Sequence, residues 1–476
     1  MGSWWPNVFA ATPREVWVVG ASMSVVPGGI DTDEGPPMTI PLRHFLVGVG
    51  LLLAGALVGL RSAVGGPVVG ARLVHVHLLL AGWVCVTIMG AMTQFVPVWS
   101  GVVLHSRRLA SLQLVLVVVG LVGFVGSLLF SALPLLPLFG GLMFAGFWVF
   151  VYNIVRTMAT IDSYDVTERH FLLALGFFLV LTTLGVLLAI DLTQPLFADV
   201  AITHQGVLGA HATVAVFGAV LTTVYGALYQ LGTMFTQTEL HGVDEYLRPI
   251  EEVGHPVGVV LLAAGRLLDV VPLARVGAAL VLVAALAFGT ILARKLFEMR
   301  VDRTPMHTRY AVAVPGLFGW ALLTAPAWLR DPTASASLFG APGAVHLFAL
   351  GTVGFVVLGT LYHIVPFIIW VHRYSDRLGF GDVPMIDDLY DDRLAAADAT
   401  LLVAGTLLLV LADLSLLPSL AFGLGGALVT LGIVVFGANM LLVIRDHSPH
   451  SVGRILLGSL DPRRRESPDE EAAARE

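Results

Sequence analysis

Residues 75–97 read H-V-H-L-L-L-A-G-W-V-C-V-T-I-M-G-A-M-T-Q-F-V-P. Two later stretches repeat the pattern. His211 to Leu231 reads H-A-T-V-A-V-F-G-A-V-L-T-T-V-Y-G-A-L-Y-Q-L, and His346 to Pro366 reads H-L-F-A-L-G-T-V-G-F-V-V-L-G-T-L-Y-H-I-V-P. With Gly82, Gly218 and Gly351 in register, Gly90, Gly226 and Gly359 coincide eight residues on, and Gln94, Gln230 and His363 coincide twelve on. Histidines precede the first glycine by seven residues (His75, His211) or by five (His77, His346). Each stretch is apolar and long enough to cross a bilayer core, which takes about 20 residues. Ionisable side chains are costly in that setting, so these histidines are functional candidates.

The whole chain agrees with a membrane setting. It has 476 residues, 57% hydrophobic and 12% charged. Mean hydropathy is +0.87, about half the charge expected of a soluble domain being present. Apolar runs of spanning length cover 44–62, 73–98, 109–130, 134–155, 170–190, 205–231, 254–272, 274–297, 309–329, 342–370, 398–416 and 420–443. The expected fold is therefore all-α and polytopic, with about 12 transmembrane helices. The charged connections are 232–253, 298–308 and 371–396. Residues 1–40 are expected to form a cytoplasmic or interfacial arm, and 446–476 a charged cytoplasmic tail.

Helix heads extend the repeat. Arg43-His44-Phe45, Arg169-His170-Phe171 and Arg309-Tyr310 each open a span one helix before a glycine-pair helix. The unit is four helices, repeated over roughly 41–160, 166–300 and 306–445. Arginines set the orientation. With both termini cytoplasmic, only Arg61, Arg72, Arg266, Arg275 and Arg330 of the 26 Lys and Arg fall outside. Helices 2, 6 and 10 then run inward. His75, His77, His211 and His346 share one depth near the outer face, and His363 lies near the inner face.

Other chemistry is sparse. The single Cys85 excludes an internal disulfide and a cysteine-built metal cluster. A net charge of −7 with no basic cluster outside the tail argues against nucleic acid. There is no phosphate-binding glycine loop, H-E-x-x-H or nucleophile elbow. Intramembrane carboxylates are read as scarce, with Asp191 and Asp413 near span ends, which weakens an ion-coupled transporter. His44 and His170 read as interfacial anchors. His255, His307, His372, His447 and His450 read as solvated, as does the run Asp387, Asp388, Asp391 and Asp392. Met92, Tyr225, Tyr229 and Tyr362 read as packing residues. The glycine pairs read as helix-packing positions, with a flat macrocycle on the same face as the functional alternative.

Neutral imidazole binds haem iron, copper and zinc. A bis-histidine haem needs two imidazoles on facing helices at one depth, which His346 offers with His75 or His77. His75 and His77 point to different sides of a helix, so only one should ligate a given iron. His204 and His211, seven residues apart on one face, are weaker candidates for copper or a second haem, and His363 is weaker still.

Twelve helices in three arcs, with histidines on helices 2 and 10, resemble subunit I of haem–copper oxidases and nitric-oxide reductases. His75-Val76-His77, Gly82 with Gly90, and Val96-Pro97-Val98-Trp99-Ser100-Gly101 are similar to the helix-2 signature of NnrS-type haem and copper membrane proteins. The resemblance covers about 40–445. It implies haem b, with copper as a further cofactor, and a role in electron transfer or in binding or redox handling of a diatomic gas such as nitric oxide or oxygen. An electron-donor protein or quinol would be the partner, in the cytoplasmic membrane. On that match His346 takes the place of the low-spin haem ligand. The oxidase pattern also has a high-spin ligand two residues earlier, where Ala344 stands here. It has a helix-7 His-His pair, where only His255 stands, and a helix-6 histidine–tyrosine pair, whose usual spacings after His211 give Val214 and Ala215. A complete oxygen-reducing binuclear centre is therefore not expected. A cofactor-free transporter or structural membrane subunit is the contrasting expectation.

Overall fold

The computed structural model describes residues 36–66, 69–377 and 382–458. Twelve long helices account for most of them. They are α1 Thr39–Gly65, α2 Ala71–Ser100, α3 Arg107–Leu129, α4 Leu133–Met158, α5 Val166–Asp191 and α6 His204–Thr236. Then follow α7 Val243–Leu267, α8 Val271–Phe297, α9 Pro305–Arg330, α10 Val345–Arg373, α11 Asp392–Asp413 and α12 Ser419–His447. No strand occurs among the described residues. Eleven of the twelve are long and apolar enough to cross a membrane, so the chain is an all-α, multi-pass membrane protein. The exception is α7.

Helix α7 corrects the sequence reading. It starts eleven residues before the expected span, inside what was read as a charged connection. Its buried side includes Asp244, Glu251, His255, Gly258 and Leu262, a spacing of three, four or seven residues that makes one stripe along a helix. The stripe is polar at its start, so an apolar-run criterion misses it. The same correction applies to α11, which begins six residues early and so encloses Asp398.

Neighbouring helices pack in sequence, and the units join end to end. Helix α4 packs on α5, α8 on α9, and α12 on α1, which closes the ring. Helices α2, α6 and α10 stand inside it. Their apolar faces meet around a cavity of about 70 Å³ lined by Ile88, Val224 and Val357, each six residues past its first glycine. Phe95, Leu231 and Ile364, thirteen past, line it too. Three helices therefore run parallel and in register around a common axis.

Each of these helices widens at the same place. The π-helical segments are Leu78–Val84, Val214–Leu221 and Ala349–Gly354, and each contains the first glycine. A π segment adds a residue to a turn and often marks a functional site. It also frees carbonyls. The Phe217 carbonyl accepts from His255 Nε2 at 2.9 Å and from Thr222 Oγ1 at 3.3 Å.

The second glycines have a packing role. A Cβ at Gly90 would lie 2.6 Å from His44 Cβ, and one at Gly226 2.5 Å from His170 Cβ. The helix heads of each unit thus rest directly on the glycine helices. The glycine face is occupied by protein, which leaves no room there for a macrocycle.

The expected arm, 1–40, lies almost wholly outside the described residues, as does 459–476 of the tail. Helix α12 continues to His447 rather than ending at 445. A short helix, α13, Val452–Leu457, then packs against α1, where Arg43 Nε donates to the Ile455 carbonyl at 2.6 Å.

Candidate functional site

Four of the predicted histidines lie in the first turns of α2, α6 and α10, at one end of the bundle. Each is half-buried, and each uses Nδ1 in the same way. His75 Nδ1 donates to the Gly55 carbonyl at 2.8 Å, and His211 Nδ1 to the Leu181 carbonyl at 2.9 Å. His77 Nδ1 donates to the Leu73 carbonyl at 2.9 Å. His346 Nδ1 meets Asp413 Oδ2 at 2.5 Å. A carbonyl can only accept, so Nδ1 carries the proton and neutral Nε2 carries the lone pair. No hydrogen bond to Nε2 of these four exists among the described residues. This is the arrangement of a metal-ligating histidine, whose other nitrogen is held by an oxygen acceptor.

The anchor by itself is not diagnostic. His44 and His170 bond the carbonyl four residues back in the same manner. What sets the four apart is that they come near one another across helices. His75 and His346 lie within electrostatic reach, and so do His77 and His211. Of His75 and His77, it is His75 that senses the His346 charge.

The fit to haem iron can be weighed on the donor set. Among the described residues, the only three ligand side chains close enough to share an ion are His241, Asp244 and Glu298. Neither histidine pair acquires a third protein ligand. Two imidazoles without a third protein donor suit a six-coordinate iron whose other four ligands come from a porphyrin better than a bare zinc or copper ion. His346 keeps 29% of its side chain accessible at the start of α10.

His204 Nδ1 binds Asp191 Oδ2 at 2.7 Å, the same kind of anchor that His346 has, while His211 Nδ1 binds the Leu181 carbonyl. His363 lies far from the layer, its ring 4.0 Å from Phe235 and 6.0 Å from Phe367. The His241, Asp244 and Glu298 group already holds a cation. Lys295 Nζ lies 2.9 Å from Asp244 and 2.7 Å from Glu298, and donates to the Glu239 carbonyl.

The opposite end of the helices carries polar chemistry that sequence reasoning missed. Glu251 is fully buried, meeting His170 Nε2 at 3.2 Å and Tyr229 Oη at 2.8 Å. Asp398 is equally buried, bonded by Arg309 and by Tyr362 Oη. Tyr229 and Tyr362 each stand three residues past the second glycine, so the two clusters are equivalents. Membrane carboxylates are thus not scarce. His44, His170, His255 and His307 are buried rather than interfacial or solvated. Gln94 Oε1 is buried without a hydrogen-bond partner among the described residues. In the acidic run, Asp391 caps α11 and Asp387 is half-buried, its carboxyl pushed up by burial. A regular tyrosine offset was the available signal for these clusters.

Comparison with known proteins gives no matching family model and no curated relative of significant similarity.

Proposed function

We propose that this chain is a haem-binding membrane protein in which His75 and His346 are the axial ligands of one b-type haem. The observation that carries the reading is a pair of imidazoles from two helices within electrostatic reach, each with Nδ1 tied to an oxygen and Nε2 without a hydrogen bond among the described residues. Bound there, haem would supply one-electron redox chemistry. The residues of this chain would fix the ring orientations through the Gly55 carbonyl and Asp413, and would raise the basicity of His346 through that carboxylate. A histidine on both sides of the iron favours electron transfer over gas binding, because no axial position is open. Arginine placement supports both termini on the cytoplasmic side, with this pair near the outer face and an electron-donor protein or quinol as partner. The resemblance to subunit I of haem–copper oxidases and to NnrS-type proteins supports haem but not an oxygen-reducing centre, since Ala344 takes the place of the second haem ligand.

The buried carboxylates are the one observation that favours a cofactor-free transporter. Both are already committed: Asp398 to Arg309 and Tyr362, Glu251 to His170 and Tyr229. The deciding experiment is a reduced-minus-oxidised spectrum with metal analysis on detergent-purified protein expressed with a haem supply. Haem bands that disappear in His346→Ala support the reading. A colourless wild-type protein rejects it. A spectral shift on adding CO would show an open axial position and reject bis-histidine ligation.

A further inference from the structure

The first pair has a copy. His75 stands seven residues before its glycine and His346 stands five before its own, so the pair joins a minus-seven position in the first unit to a minus-five position in the third. Advancing each partner by one unit pairs His211, at minus seven in the second, with His77, at minus five in the first. Advancing again pairs Ala344 with Thr213. Three equivalent interfaces therefore exist around the axis, and two of them carry a histidine at both positions, each pair within electrostatic reach.

The equivalence extends to what surrounds the rings. Leu181 and Gly185 stand as far after His170 as Gly55 and Gly59 stand after His44. The Gly55 and Leu181 carbonyls receive His75 and His211. Gly59 and Gly185 make room for the same two rings, a Cβ there lying 2.6 Å from His75 Cε1 and 3.0 Å from His211 Cε1. His77 packs on Phe124 with ring centres 4.8 Å apart. The third interface shows what closure looks like. Thr213 Oγ1 accepts from Arg266 Nη1 at 2.7 Å, Arg266 lies over Trp328, and Phe217, Trp320 and Phe348 fill the remainder.

We propose that His77 and His211 hold a second haem through their Nε2 atoms, between the first and second four-helix units. The proposal rests on the reading of His75 and His346 as a haem pair, and extends it to an interface for which the family resemblance assigns no ligand pair. The donor set again favours a porphyrin iron over a bare ion, since no third protein ligand joins the two imidazoles. His75 and His77 diverge from one helix, so the two irons would flank α2.

The test is stoichiometry on the full-length protein, with haem per chain from the pyridine haemochrome and iron and copper from elemental analysis. Two haems are expected, falling to one in His77→Ala or His211→Ala, with the remaining haem lost on adding His346→Ala. One haem per chain that is indifferent to His77→Ala and His211→Ala overturns the second site and leaves the first standing. Copper in place of the second haem, lost in His211→Ala, overturns the assignment to haem. No haem in the wild type removes the first reading and this one together. Because a void at His211 could disturb its neighbour, His211→Gly is measured with and without imidazole. Recovery of the second haem with imidazole is expected. Failure to recover it in a chain that keeps the first haem counts against ligation.

Discussion

His346 Nδ1 and Asp413 Oδ2 lie 2.5 Å apart, which makes His346 the only one of the four layer histidines anchored by a carboxylate rather than a carbonyl. The carboxylate lends the imidazole negative character and strengthens Nε2 as a donor to oxidised iron. Asp413→Asn keeps the hydrogen bond and removes the charge. The expected result is a higher midpoint potential for the haem lost in His346→Ala, with roughly 10- to 100-fold weaker retention. Redox titration of the variant checks it, and an unchanged potential would place Asp413 outside the ligand sphere.

Gly59 makes a sharper steric prediction. A Cβ at this position would lie 2.6 Å from Cε1 and 2.8 Å from Nδ1 of His75, so the ring must move and its bond to the Gly55 carbonyl must break. Gly59→Val is expected to remove the haem held by His75 while the helices stay assembled. Gly141→Ala is the control, since a Cβ there meets nothing within 4 Å. Equal haem loss in both would show that the effect is general helix disruption.

The fold was legible because a membrane helix needs a long apolar run, and eleven of the twelve helices supply one. The layer was legible because histidines are rare in such runs and these recur at fixed offsets from glycines. The pairing was not. His75 and His77 point to different sides of one helix, and only tertiary packing selects which of them neighbours His346. Glu251 and Asp398 were missed for a related reason. Each sits in the charged opening turns of a helix, where hydropathy places a loop end, and only the tertiary partners His170 and Arg309 reveal burial.

Arg309 and Asp398 are buried together, 1% and 0% exposed, so removing one partner strands a charge. Asp398→Leu alone is expected to destabilise the protein by about 3–5 kcal/mol. Arg309→Met combined with Asp398→Leu should recover much of that loss, because the pair then leaves as a unit. Thermal unfolding in detergent of the two single variants and the double variant measures the coupling. Additive losses would mean that the two side chains do not depend on each other.

Glu298 gives a pH dependence outside the membrane span. Its hydrogen bond from Lys295 and the ammonium charge hold the carboxyl below its ordinary value of 4.5. A lowered carboxylate stabilises the fold above the unfolded-state value and loses that contribution as pH falls through the folded value. Acid is therefore expected to loosen the join between α7 and α8 below about pH 4.5. Glu298→Gln should flatten this part of the stability profile, and an unchanged acid limb would assign it to other carboxylates.

The closed third interface supplies the last prediction. Ala344 is fully buried, and Trp320, Trp328, Phe217 and Phe348 pack tightly in this region. Placing an imidazole there adds volume to a filled core and offers no partner, because Thr213 is already bonded by Arg266. Ala344→His is therefore expected to lower stability by about 1–3 kcal/mol without raising haem content. Adding Thr213→His should not rescue it, since the guanidinium and indoles still occupy the gap. If the double variant gained a haem, the interface would be open in solution, and aromatic filling would no longer explain why this third interface lacks a site.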